Sequence, residues 1–244
     1  MIREKIFEWK NWKEMIHTTW NPKDPGVIRI HMIPPKFHLF HFIPSVVILN
    51  GNQILPLNES WAILLTVFIK ELNQWGDGEM TREQGQEIVE NTVIKMRKIF
   101  PDVLPEKFQE DLELIAEVFE DIARGRVPEV EIGQMSIGDY APYMTAPHRM
   151  DLMVSAMEKN GRWNCNQHCL HCYAAGQKYS NGKELGTEDW KKIIEKCKKA
   201  RIPQLTFTGG EPTMREDLCE LLKEARWFIT RLNTNGVKLT REYC

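Results

Sequence analysis

Between Trp163 and Gly176 the chain reads WNCNQHCLHCYAAG, with Cys165, Cys169 and Cys172 in the spacing C-x3-C-x2-C. Thiolate is a soft ligand that suits iron–sulfur clusters and zinc. Three thiolates leave one iron of a cubane cluster open to an outside ligand. A closed tetrahedral zinc site wants four ligands, and His168 or His171 inside the same loop would supply the fourth. C-x2-C pairs serve both metals, so the loop alone leaves the two chemistries open. Two further stretches carry binding groups. In TGGEP, Thr208 to Pro212, two glycines let a ligand come close to backbone carbonyls able to accept from an ammonium, and Glu211 adds a carboxylate acceptor. In NTNG, Asn233 to Gly236, amide side chains suit a hydroxyl-rich ligand. Each of these two, taken alone, is only a turn.

The elements that would position them alternate. DLMVSAM (Asp151 to Met157), QLTFT (Gln204 to Thr208) and WFITRLN (Trp227 to Asn233) read as strands. Between them, Thr187 caps a helix with Trp190, Ile193, Ile194 and Cys197 on one stripe, stopped by Pro203. Thr213-x-x-Glu216 opens another, with Leu218, Leu221, Leu222 and Ala225 inward. Strand–helix alternation of this length implies βαβ units and a parallel sheet, whose ligands sit at the C-terminal ends of the strands. The cysteine loop, the glycine turn and the asparagine turn each follow one strand.

The chain upstream has a different rhythm. VVILNGNQILPL (Val46 to Leu57) is two apolar runs around Asn50-Gly51, a favoured hairpin turn. Asn58 caps a helix from Glu59 to about Leu72, Thr81-x-x-Gln84 is a capping box, and a third helix follows Pro105. We therefore expect an α+β unit over residues 1–124, a connection over 125–150, and an α/β unit over 151–244. The net charge of −2 gives no electrostatic case for nucleic acid or an anionic membrane. The N-terminus lacks a signal peptide's apolar core, and WAILLTVFI is too short to span a bilayer. Six cysteines, three of them packed into one short loop, do not form a secreted disulfide framework, which points to a cytoplasmic setting. Cys197, Cys219 and Cys244 have no ligand spacing among them.

Taken together, the three strand-end motifs resemble the radical S-adenosylmethionine superfamily. Cys165, Cys169 and Cys172 match its cluster motif, and aromatic Tyr173 follows the last cysteine. Gly209, Gly210 and Glu211 match its methionine-ammonium turn, and Asn233 and Asn235 fall where members contact the nucleoside. The resemblance implies a 4Fe–4S cluster whose fourth iron is chelated by S-adenosylmethionine. One electron, from a reductant such as flavodoxin or ferredoxin, then breaks the C5′–S bond and yields a 5′-deoxyadenosyl radical. It implies a parallel (β/α)6 partial barrel, of which three strands are legible here, so the chain reads as the N-terminal part of a longer enzyme. Six residues, EKNGRW, separate the first strand from the cysteine loop, more than is usual in the family. The first unit is similar to the winged-helix-like peptide-binding domains of peptide-maturation enzymes, implying a precursor leader peptide as partner. That peptide would add as a strand at an edge, with Val47 and Ile54 as the positions to test. The alternatives are a non-catalytic peptide-binding half-barrel and a zinc-binding structural module.

Overall fold

The computed structural model describes residues 15–20, 27–38, 41–75, 80–130, 132–144, 146–157, 163–172 and 182–243. The chain divides into two units, Met1–Met144 and Thr145–Cys244.

The first unit holds a four-stranded antiparallel sheet in the order β1-β2-β5-β6, built from β1 (Ile16–Trp20), β2 (Ile28–Ile33), β5 (Ser45–Leu49) and β6 (Gln53–Leu57). A separate small hairpin pairs β3 (Lys36–His38) with β4 (His41–Ile43). The β5–β6 hairpin turns at Asn50 and Gly51, with φ of 48° and 78°, the left-handed conformation that Asn and Gly tolerate best. Asn50 also reaches past its own hairpin. Its N–H donates to the Arg29 carbonyl at 2.9 Å, and its Oδ1 accepts from Arg29 N at 2.9 Å. Three helices follow: α1 (Glu59–Leu72), α2 (Arg82–Ile99) and α3 (Pro105–Ala123). The Asn58 cap, the Thr81–Gln84 capping box and proline in the first turn of α3 are all present. Val47, Leu49 and Leu55 pack with Leu65, Ile69, Met96, Ile115 and Phe119 on the helix side. Val46, Ile48 and Ile54 pack with Tyr140 on the other side. Tyr140 belongs to the short helix α4 (Ile137–Tyr140), capped by Ser136. The stretch 125–144 is therefore more than a connection, because it covers the second face of β5.

Strands β1 and β2 are absent from the sequence reading, and the reason is physical. Thr18 and His31 are buried in them, and polar residues at inward positions erase the apolar alternation that marks a strand.

In the second unit, β7 (Arg149–Ser155), β8 (Gln204–Gly209) and β9 (Ile229–Leu232) form a parallel sheet in that order. Helices α5 (Thr187–Lys199) and α6 (Leu218–Glu224) pack on it. Leu152, Val154, Leu205 and Phe207 meet Trp190, Ile194, Leu218 and Leu221 in one core. The α/β architecture with a parallel sheet is as expected for part of a barrel.

Several boundaries move. The first strand spans Arg149–Ser155 rather than Asp151–Met157, and the third is shortened to Ile229–Leu232 by a 3-10 turn over Ala225–Trp227. Gly186, not Thr187, stands at the N-cap of α5, and the Thr187 hydroxyl instead donates to Asp217 Oδ2 at 2.6 Å. Helix α5 stops at Lys199, ahead of Pro203, and Arg201 takes a φ of 66°. Thr213 does not cap the next α-helix: it lies in a 3-10 turn over Pro212–Met214 capped by Glu211, its hydroxyl donates to that carboxylate, and α6 starts only at Leu218.

Candidate functional site

The C-terminal ends of β7, β8 and β9 are joined by a network centred on Glu211. This side chain is 1% exposed. Its Oε1 accepts from Thr213 N at 3.0 Å, Thr213 Oγ1 at 2.6 Å and Thr234 Oγ1 at 2.6 Å, while Oε2 accepts from Asn235 N at 2.8 Å. One carboxylate thus ties the turn after β8 to the turn after β9. Burial pushes the Glu211 carboxyl up, but the hydrogen bonds from Asn235, Thr213 and Thr234 outweigh it and leave the group below the usual carboxylate range.

Backbone bonds attach the cysteine loop to the same place. Gly210 N donates to Ser155 O at 3.0 Å, and Glu211 N donates to Asn164 O at 2.9 Å. Both glycines are demanded by this approach. A Cβ on Gly210 would lie 2.4 Å from the Asn164 carbonyl oxygen. One on Gly209, whose φ is 142°, would lie 2.8 Å from Ser155 N. Whatever ligand the turn takes, the chain itself already requires glycine at both positions. A third tie runs between side chains: Asn235 Nδ2 donates to Asn166 Oδ1 at 2.7 Å, and Asn235 Oδ1 accepts from Val237 N at 3.1 Å. Asn233 is exposed, and its N–H donates to Phe207 O at 2.9 Å.

Cys165 is half-buried, and Cys169 and Cys172 are exposed. Local bonds shape the loop: Cys172 N donates to Cys169 O at 3.1 Å, and Gln167 N donates to Cys165 Sγ at 3.5 Å. All three thiols lie in one exposed loop pinned at Asn164 and Asn166. Among the described residues, no group of three His, Cys, Asp or Glu side chains is gathered to hold a metal ion. The donor chemistry fits an iron–sulfur cluster, three soft thiols within eight residues of sequence. The sulfurs are not preassembled around either cluster or zinc. Tyr173 lies outside the described residues.

One supporting residue left no sequence signal. Arg215 donates from Nε and Nη2 to the two Asp217 oxygens at 2.8 and 2.7 Å, and from Nη1 to Val154 O at 2.8 Å and Leu185 O at 3.2 Å. Its side chain is 8% exposed, so this fork holds the end of β7, the residue before Ser155, against the start of α6. The Arg215 guanidinium, helped by the Thr187 hydroxyl against desolvation, keeps the Asp217 carboxyl below its usual range. Arg215→Ala should cost about 3–5 kcal/mol in urea denaturation, the scale of a buried charge left without its partner. Arg215→Lys should recover only part of it, since lysine has no fork. The Asp217 contribution is full above the ordinary carboxylate pKa and is lost as pH falls through the lowered folded value. A change below 1 kcal/mol for the alanine variant would remove Arg215 from this role.

Residues 164–244 match the family model of the Radical SAM superfamily. The match covers about a third of the chain and lies within the second unit, which is thus similar to radical SAM domains; members of that superfamily use a 4Fe–4S cluster and S-adenosylmethionine. Among curated relatives, the chain is 42% identical over 86 residues to an Fe-coproporphyrin III synthase of Methanosarcina barkeri, covering 33% of this chain and 22% of the relative. It is 41% identical over 80 residues to a PqqA peptide cyclase of Bradyrhizobium diazoefficiens, covering 32% and 21%. It is 34% identical over 77 residues to a probable GTP 3′,8-cyclase of Thermococcus kodakarensis, covering 31% and 25%. The match thus spans about a quarter or less of each of these relatives. No solved structure matches. No helix among the described residues is long and apolar enough to cross a membrane.

Proposed function

We propose that the protein binds a 4Fe–4S cluster through Cys165, Cys169 and Cys172 and cleaves S-adenosylmethionine reductively to modify a ribosomally made peptide. The observation that carries this reading is the Glu211 network, which brings the cysteine loop, the glycine turn and the asparagine turn together at the C-terminal ends of a parallel sheet. When bound, cluster and S-adenosylmethionine supply a 5′-deoxyadenosyl radical able to remove a substrate hydrogen. The carbonyls of Gly209 and Gly210 accept from the cofactor ammonium, with Glu211 beside them. Asn233 and Asn235 face the nucleoside, and Tyr173, next in sequence after Cys172, is a further cofactor-binding residue. A flavodoxin- or ferredoxin-type protein supplies the electron, and the setting is cytoplasmic.

The peptide part rests on the antiparallel sheet of the first unit and on a relative named for acting on a peptide. The sheet's register decides which edge such a peptide would meet. Arg29 N and O both point toward Asn50, so Arg29 and His31 face β5, while Ile28, Ile30 and Met32 face β1. Their partners Trp20, Thr18 and Ile16 face β2, which turns the backbone of His17 and Thr19 outward. Continuing the alternation, Ile54 and Pro56 face outward on β6. There the Ile54 carbonyl already accepts from Met135 N at 2.9 Å, and Pro56 has no N–H to offer. Val47 is not an edge position, since β5 is paired on both sides; a proline there would break the sheet. On β1, Asn73 Nδ2 donates to His17 O at 2.7 Å, which leaves Thr19 as the outward position for a peptide.

The test uses the full-length protein, reconstituted anaerobically and reduced with dithionite. It should release 5′-deoxyadenosine and methionine from S-adenosylmethionine, and absence of both would sink the enzymatic reading. A precursor peptide from a neighbouring gene should bind, and Thr19→Pro should weaken it at least tenfold without unfolding the protein, since it removes a strand donor. Unchanged binding would take the peptide off this edge.

A further inference from the structure

We infer that Ser155 is a further cofactor-binding residue, its hydroxyl donating to the carboxylate of the amino-acid end of S-adenosylmethionine; this rests on the radical S-adenosylmethionine reading of the same site. Ser155 is the last residue of β7 and is 0% exposed. Its backbone carbonyl is used, accepting from Gly210 N at 3.0 Å. Its Oγ is buried with no hydrogen-bond partner. A buried hydroxyl without a partner costs stability that serine-to-alanine exchange would recover. Such a group at a strand end beside a ligand turn is explained if a ligand supplies the missing bond.

The position selects which part of the ligand. The unpartnered oxygen lies 2.8 Å from where a Cβ on Gly209 would stand, so glycine keeps a carbon off the hydroxyl. The Gly209–Gly210 turn is the one that would take the cofactor ammonium. An α-amino acid carries its carboxylate on the same carbon as its ammonium, so a donor touching this turn meets the carboxylate. Glu211 cannot serve there: it is acceptor-only when ionised, and its own oxygens hold four protein donors. A hydroxyl is such a donor, and Arg215 fixes it in place through the neighbouring Val154 carbonyl.

The experiment compares wild type with Ser155→Ala in the full-length protein. Without cluster or cofactor, Ser155→Ala should melt a few degrees higher, because a buried unpaired hydroxyl is gone. After cluster reconstitution, calorimetry should show S-adenosylmethionine bound about tenfold or more weakly by the variant, the scale of a hydrogen bond to a charged group. Decarboxylated S-adenosylmethionine, which keeps ammonium, sulfonium and nucleoside, should bind the two proteins alike. Ser155→Cys, similar in shape and a weaker donor, should fall between. The opposite signs matter, because a merely structural serine would lose stability and affinity together. Failure of wild type to bind S-adenosylmethionine at all would overturn both readings. Normal wild-type binding with an unchanged alanine variant, or equal losses for both ligands, would overturn this one alone.

Discussion

Replacing Cys165, Cys169 and Cys172 together by alanine is expected to abolish the brown chromophore and the bound iron of the reconstituted protein, with about four irons per chain in wild type. The fold should survive the change. None of the three belongs to the core of the second unit, which is built from Leu152, Val154, Leu205, Phe207 and the helix residues facing them. The variant's circular dichroism and cluster-free melting temperature should therefore match wild type, so that loss of iron is not loss of folding. Equal iron and sulfide in variant and wild type would defeat the ligand assignment. Metal analysis returning one zinc, lost on changing His168 or His171, would establish the zinc module instead.

Glu211→Ala should lower both the stability of the fold and the affinity for the cofactor. The carboxylate receives two backbone N–H groups and two hydroxyls while almost wholly buried. Its removal strands these donors and should cost about 2–5 kcal/mol in denaturant unfolding of the cluster-free protein. Glu211→Gln keeps one acceptor oxygen but sets an amide N–H against a donor, so it should cost less, about 1–3 kcal/mol. S-adenosylmethionine binding should weaken by about 1.5–3 kcal/mol in the alanine variant. If Glu211 served only the cofactor, affinity would fall while cluster-free stability held, and the bracing role would be wrong. The pH dependence has a definite sign. Because the folded pKa lies below the ordinary carboxylate value, the contribution is complete above that value and disappears as pH falls through the lowered one. Wild type should lose stability along that acid limb more steeply than Glu211→Gln.

How much was legible in the sequence varies by residue, and the differences have causes. The cysteine spacing, the glycine turn and the hairpin at Asn50-Gly51 are local, and their chemistry or backbone demands show in the residue types themselves. The helices over Glu59–Leu72 and Arg82–Ile99 were equally open, because Asn58 and Thr81 cap them through bonds three residues long. Capping patterns failed where the hydroxyl had another acceptor than the backbone of its own helix. Thr187 turned to Asp217, thirty residues away in sequence, and Thr213 turned to a carboxylate beside it rather than to the start of a helix.

By itself, then, the sequence determined the donor set, the alternation that makes a parallel sheet, and the order in which the motifs follow its strands, because each depends on residue type and short spacing. The tertiary structure alone decided what Glu211 does, since its bonds to Thr234 and Asn235 cross from one strand end to the next. It alone showed Arg215 holding Val154, Asn166 meeting Asn235, and a lone hydroxyl at Ser155. It also placed Val47 inside the sheet, because β2 lies along β5 and polar Thr18 and His31 had hidden the strands β1 and β2. These are contacts between residues far apart in the chain, and no spacing rule encodes which hydrogen-bond donor a fold will bring to a buried acceptor.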